Sequence, residues 1–206
     1  MRAGSGSARP ALAEPANPPS DDAVMLVPLG RSHLDALEDL GADPLVQRFT
    51  RIPDPFGRTE AEWWLGLYER GWVDGSRAGF AVVERRSGAF AGMIAFVTLR
   101  LDAAEAEVGY IVAPKSRGQG FAVRALDLLT AWGFEQLGLA RIELRAELDN
   151  PASLRVAERC GYVREGVLRQ VHLKGGRRGD MAIYSRLDTD PARLLRPPRH
   201  PGHDLS

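Results

Sequence analysis

Cysteine is nearly absent from this 206-residue chain, where Cys160 stands alone. A disulfide framework within the chain is therefore excluded, and a cysteine-based metal site lacks its ligands. The histidines, His33, His172, His200 and His203, form no close zinc-binding pair in the core, so no metal is expected. Charge of one sign is also lacking, since 27 Lys+Arg balance 27 Asp+Glu. Phosphate affinity draws mainly on an excess of Lys and Arg, so nucleic acid is not expected as a partner. No apolar run reaches the roughly 18 residues of a membrane span, and the N-terminus has no apolar signal-peptide core. These absences lead to the expectation of a cytoplasmic chain with no membrane partner.

Aromatic residues are missing from both ends. Residues 1–22 and 189–206 hold eight of the fourteen prolines and none of the fifteen aromatic side chains. Such composition buries too little apolar surface to offset the entropy of ordering, so both ends are expected to be disordered tails. What remains, 23–188, is the size of one domain. Its charges also cancel.

Val24–Leu29 reads as a strand. A helix opened by Ser32 or Asp35 and closed by Gly41 follows, then a second over Pro44–Phe49 behind Asp43. Thr59–Trp72 is a longer helix, with Thr59 as candidate cap and Glu62 completing a capping box. From Gly79 the pattern turns to strands: Phe80–Glu84, Ala89–Leu99 and Glu105–Val112. A helix from about Gly120 to Leu137 places Ala122, Ala125, Leu126, Leu129 and Trp132 on one face. Arg141–Leu148 alternates as a strand. Asp149–Arg159 reads as a short helix with Asn150 as its cap, Pro151 at the first helical position and Gly161 past its end, and two strands near Tyr162–Leu173 and Asp180–Leu187 finish the domain. This order predicts an α/β (α+β) domain, a central mixed, mostly antiparallel sheet of about six to seven strands flanked by helices.

The loop Ala113–Gly120 links a strand to a helix, with Gly118 and Gly120 at the junction. Free N–H groups at a helix start, with the positive dipole end behind them, suit a phosphate or pyrophosphate. Gly-Lys-Ser/Thr, as a P-loop needs, is missing, and the dinucleotide fingerprint fails because Val123 stands where its third glycine belongs.

Arg117-x-x-Gly120-x-Ala122 instead resembles the acetyl-coenzyme A loop of the GNAT N-acetyltransferase superfamily. Asn150-Pro-Ala-Ser153 through Cys160-Gly161-Tyr162, then Glu165-Gly166, is similar to the second signature of that family. Leu26-Val-Pro-Leu29 and Asp43-Pro44 are similar to the branch of ribosomal-protein N-terminal (alanine/serine) acetyltransferases. The resemblance implies acetyl-coenzyme A as co-substrate, with a primary amine attacking the thioester directly in a ternary complex. It further implies that a strand pair splays apart to admit the pantetheine arm. Backbone groups of Ile111 and Val112 would bind that arm, and Arg117, Gly118, Gln119, Gly120, Phe121 and Ala122 the pyrophosphate. Asn150 would contact the pantetheine, and Ser153 would support the sulfur.

Glu107 occupies the family's general-base position, with Glu105 or an ordered water as alternatives and an ion pair to Arg100 as its plain structural reading. The tyrosine that many members carry seven residues after the asparagine is missing, because Ala157 stands there; Tyr184 is a weaker candidate acid. Cys160 reads as core packing. The acceptor is a protein or peptide N-terminus or a small amine, in a wall built from the 44–72 helices, the 52–58 loop and the final hairpin. There Trp63, Trp64 and Trp72 would shape the site, and Asp54, Glu60, Glu62 or Asp74 would attract a cation. A non-catalytic acyl-coenzyme A sensor is the competing function. The chain is expected as a monomer or homodimer.

Overall fold

The computed structural model describes residues 11–191. The chain runs β1 (Val24–Pro28), α1 (Leu34–Ala42), α2 (Pro44–Phe49), α3 (Arg58–Asp74), β2 (Ala78–Glu84), β3 (Phe90–Arg100) and β4 (Glu105–Val112). It continues through α4 (Phe121–Leu137), β5 (Arg141–Glu147), α5 (Pro151–Arg159), β6 (Val163–Lys174) and β7 (Arg177–Leu187). The seven strands form one sheet in the order β1-β2-β3-β4-β5-β7-β6. Neighbours are antiparallel except β4 and β5. The expected architecture is the observed one.

Strand alternation gives the sheet two apolar faces. Val24, Leu26, Phe80, Phe96, Ile142 and Leu144 meet Ala125, Leu126, Leu129 and Trp132 of α4 on one face. There the Trp132 ring packs on Phe80 at 5.3 Å and on Phe96 at 6.0 Å between centroids. The other face carries Ala81, Met93 and Ala95 under Leu37, Leu40, Trp64, Leu65 and Tyr68 of α1 and α3. Each large side chain fully buried here contributes about 1.5–3 kcal/mol, so both helical layers are held by the sheet.

The parallel pairing of β4 and β5 is short. It joins Glu105–Val108 to Arg141–Leu144 and then stops, whereas β4 stays paired to β3 as far as Val112. Gly109–Val112 thus lack a β5 neighbour, and the sheet opens between the two strands. At Gly92 the β3 backbone adopts φ +149°, and a Cβ there would lie 2.2 Å from the Ile111 carbonyl oxygen. Only glycine fits so close an approach, which seats the free half of β4 against β3.

Several local expectations are corrected. The capping of α3 falls to Gly57, whose N–H donates to Glu60 Oε2 at 3.0 Å, and not to Thr59 with Glu62. Gly41 does not end α1 but lies within it, where a Cβ would press on the Phe56 ring at 2.3 Å. Residues 11–22, grouped on composition with the N-terminal tail, make contacts with the domain. The Leu12 N–H donates to the Trp72 carbonyl at 2.9 Å, and Asp21 pairs with Arg124 at 2.6 Å. The rest of that tail, 1–10, and residues 192–206 of the other lie outside the described residues. Among the described residues no helix is long and apolar enough to cross a membrane.

Candidate active site

The opening between β4 and β5 is the mouth of a cavity of about 570 Å³. Its walls come from both faces of the sheet. Tyr110, Phe121, Ala122, Val123, Ala146 and Val156 line it on the α4–α5 side, and Ile52, Trp64, Tyr68, Met93, Val97 and Ile111 on the α3 side. The cavity passes through the sheet where the pairing of β4 with β5 stops.

At one edge stands the start of α4. Gly118 and Gly120 take φ +78° and +82°, a left-handed turn that favours glycine, and no side chain caps the helix. The first N–H groups of this 17-residue helix therefore have no partner within it. Arg117, expected to add a charge, is held elsewhere: its Nη2 donates to Asp43 Oδ1 at 2.6 Å. Asp43 also caps α2, accepting from the Leu45 and Val46 N–H groups at 3.1 Å each. Burial works to raise its pKa, yet the bonds from Arg117, Val46 and Leu45 together hold the carboxyl below its ordinary value.

Across the cavity is the first turn of α5. Asn150 Oδ1 accepts from the Ser153 N–H at 3.2 Å, so the expected cap is present. The Ser153 hydroxyl lies 2.7 Å from the Tyr110 hydroxyl of β4. Burial pushes the Tyr110 phenol above its ordinary pKa, so it stays a neutral donor. Tyr110 was not among the candidates, and nothing in the local pattern marked it. Arg155 and Arg159 of α5 also line the cavity without having been singled out; their i, i+4 spacing was the available signal.

Of the residues named from sequence, Ile111, Val112, Arg117, Gly118, Gly120, Phe121, Ala122, Asn150 and Ser153 line this cavity, whereas Gln119 and Glu107 do not. Gln119 turns away, its Nε2 donating to the Lys115 carbonyl at 2.8 Å. Glu107 lies at the end of the β4–β5 pairing, with its carboxylate 4.0 Å from Arg145 Nε. Burial raises its pKa, Arg145 and Arg51 oppose that, and Glu143 adds to it. The suggested partner Arg100 instead pairs with Glu105.

Among the expected acceptor residues Trp64 lines the cavity. Trp72 is buried in the core, and Trp63 faces outward, 49% exposed. Asp54, Glu60, Glu62 and Asp74 are not in the lining. Neither is Tyr184, whose hydroxyl donates to Glu158 Oε1 at 3.3 Å. Cys160 is wholly buried, as core packing requires. Among the described residues no group of three His, Cys, Asp or Glu is placed to hold a metal ion.

A split parallel pair beside an uncapped, glycine-led helix frames the cavity. Residues 23–163 match the Acetyltransferase (GNAT) domain, and the chain belongs to that family of acetyltransferases. The chain is 26% identical over 158 residues to an uncharacterized N-acetyltransferase, p20, of Bacillus licheniformis, covering 77% of this chain and 89% of that one. It is 31% identical over 96 residues to a ribosomal-protein-serine acetyltransferase of Escherichia coli, covering 47% of this chain and 54% of that relative's length. It also resembles the crystal structure of spermidine N-acetyltransferase from Vibrio cholerae in complex with CoA and spermine. There the TM-score is 0.70 at 25% identity, over 80% of this chain and 95% of that one.

Proposed function

We propose that this acetyltransferase moves an acetyl group from acetyl-coenzyme A to a primary amine, by direct attack within a ternary complex. One observation carries the reading. The cavity crosses the sheet where β4 and β5 part, with the free N–H groups of α4 at one edge and an apolar wall on the far face.

The residues fit the coenzyme by their chemistry. Gly118, Gly120, Phe121 and Ala122 offer backbone donors and a helix dipole to a pyrophosphate, and Arg155 and Arg159 add positive charge to the same cavity. The edge of β4 at Ile111 and Val112, which lacks a β5 neighbour, serves the pantetheine amides, because a strand edge satisfies an extended chain as it would another strand. When bound, the coenzyme supplies the acetyl thioester. Ser153, set by Asn150 and Tyr110, is the hydroxyl that supports the sulfur and returns a proton to it. The acceptor's proton goes to a carboxylate on the α3 face of the sheet; Glu107, the candidate by strand position, lies outside the cavity lining.

The acceptor is a small amine or a protein N-terminus. Free-thiol release from acetyl-coenzyme A over a panel of amines and peptides tests the reaction. Thermal shifts with coenzyme A, ATP and NAD test the ligand, since a ligand at 100 times its Kd adds about 2.7 kcal/mol. Stabilisation by coenzyme A with turnover of at least one amine is the expected result. Coenzyme A binding without any turnover would make the protein a sensor, and a preference for ATP or NAD would refute the coenzyme site.

A further inference from the structure

Among the described residues lining the cavity, Glu147 is the one acidic side chain. It ends β5, three residues beyond the last pairing with β4, and is 3% exposed. Its carboxylate is fixed from two strands. His172 Nε2 on β6 lies 3.1 Å from Oε1, and Arg177 Nη2 on β7 lies 3.2 Å from Oε2. Gly179 backs it so closely that a Cβ there would sit 3.3 Å from the carboxyl carbon. His172 is 4% exposed, and its Nε2 has no aligned hydrogen-bond partner.

A carboxylate buried this far is costly unless a cation or proton completes it. One face of Glu147 meets Arg177, and another meets the cavity. On the α3 side the cavity is lined by the apolar Ile52, Trp64, Tyr68, Met93 and Val97. Such a site has a place for one positive charge and an apolar body, since the neighbouring Asp149 lies outside the cavity lining and is taken up by Arg48 and Arg177.

We propose that Glu147, and not Glu107, binds the acceptor's ammonium group and takes its proton, with His172 as a positioning residue. The acceptor it fits is a primary amine with a single charge beside an apolar group, not a polyamine. This rests on the acetyl-transfer reading above and specifies its second substrate. One N–H bond of the ammonium breaks as one O–H bond forms on Glu147, and the electron pair stays on nitrogen to attack. The nitrogen–carbon bond forms and the carbon–sulfur bond breaks with its electron pair on sulfur, the nitrogen's second proton ends on that sulfur, and Glu147 returns its own to solvent. The cycle balances as ammonium plus acetyl thioester giving amide, thiol and one proton.

The groups facing Glu147 set the pH at which it can act. Burial raises its pKa and the neighbouring Asp149 adds to this, while Arg177 and Arg48 of α2 oppose it. Burial, then Arg51, Arg177 and Lys174, keeps His172 below its ordinary value and so neutral at pH 7.

The test uses the full chain with acetyl-coenzyme A and two acceptors, 2-phenylethylamine and spermidine, in wild type, E147Q, E107Q and H172Q. Coenzyme A binding is followed by thermal shift in each. Phenylethylamine should exceed spermidine in kcat/KM by at least about tenfold. E147Q should lower kcat by about 100-fold or more with coenzyme A binding intact, and E107Q by less than tenfold. H172Q should move the acid limb of the kcat/KM profile while leaving coenzyme A binding unchanged. The proposal is overturned by E147Q turnover within threefold of wild type, by a larger loss in E107Q, or by a preference for spermidine. If E147Q does not fold, an acid limb unmoved in H172Q overturns it equally. Coenzyme A binding with no turnover of any amine by wild type overturns the acetyl-transfer reading itself, which is a separate result.

Discussion

The Tyr110 hydroxyl and Ser153 Oγ lie 2.7 Å apart, so the free half of β4 is tied to the first turn of α5 across the cavity. Tyr110 is buried, and Ser153 takes its backbone position from Asn150. A serine in a helical turn commonly bonds nearby backbone; this one is met by a phenol from another element. Tyr110→Phe therefore removes an aimed partner while preserving the packing. A hydrogen bond of this kind contributes about 1 kcal/mol, so kcat in Y110F should fall about fivefold with the acceptor KM little changed. S153A should lose more. Y110F/S153A should lose no more than S153A alone, because the two act as one unit. Steady-state thiol release across the four proteins measures this, and losses that simply multiply would mean that Tyr110 acts independently of Ser153.

Asp43 and Arg117 connect the coenzyme loop to the acceptor side. Asp43 holds the start of α2 and the Arg117 guanidinium at once. If Arg117 serves the coenzyme's phosphates, Asp43 competes for it. R117Q should then weaken coenzyme A binding about tenfold, in line with a charge-assisted hydrogen bond, whereas D43N should not weaken it. Asn still caps a helix, so D43N should also keep the stability that D43A loses, about 1 kcal/mol. Calorimetric titration with coenzyme A and denaturant unfolding check both halves. Equal weakening by R117Q and D43N would mean that Arg117 works only as a strut through Asp43.

Much of the frame was legible because its signals are local. Pro44–Phe49 behind Asp43, Glu105–Val112, and the short helix opened by Asn150 and followed by Gly161 are all where capping and alternation put them. Local rules misled where two patterns overlapped. Glu60 and Glu62 both follow plausible caps by three, and the chain uses Gly57 with Glu60. Glu147 was out of reach for a different reason. It continues the outward row Arg141, Glu143 and Arg145, and nothing within β5 reveals that beyond Leu144 this row leaves the sheet surface and becomes cavity wall. That burial is made by His172, Gly179 and Arg177, which follow it by at least 25 residues. Glu107 shows the same limit from the other side. Its place on the strand was read correctly, but its partner Arg145 comes from a neighbouring strand and not from the nearby Arg100.

Glu165 belongs to the second sequence signature, and its structural role yields a pH prediction. It receives a two-pronged bond from Arg141 at 2.7 and 2.6 Å and a third from the buried Ser185 hydroxyl at 2.7 Å, joining β5, β6 and β7. The Arg141 bonds chiefly, then Ser185, lower the Glu165 pKa to about 2, against a small opposing effect of burial. An unfolded glutamate titrates near about 4.3. The folded value is the lower one, so the charge stabilises the native state above that unfolded value. Its contribution fades as pH falls toward about 2. The side chain is 39% exposed, and solvent screening limits the effect to at most about 1 kcal/mol. E165Q should therefore be less stable than wild type at pH 7 by up to that amount, and the gap should close as pH falls from about 4.3 toward 2. Urea midpoints of the two proteins at pH 7, 4 and 2.5 measure the gap. A gap that stayed constant across this range would show that Glu165 acts through packing and not through its charge.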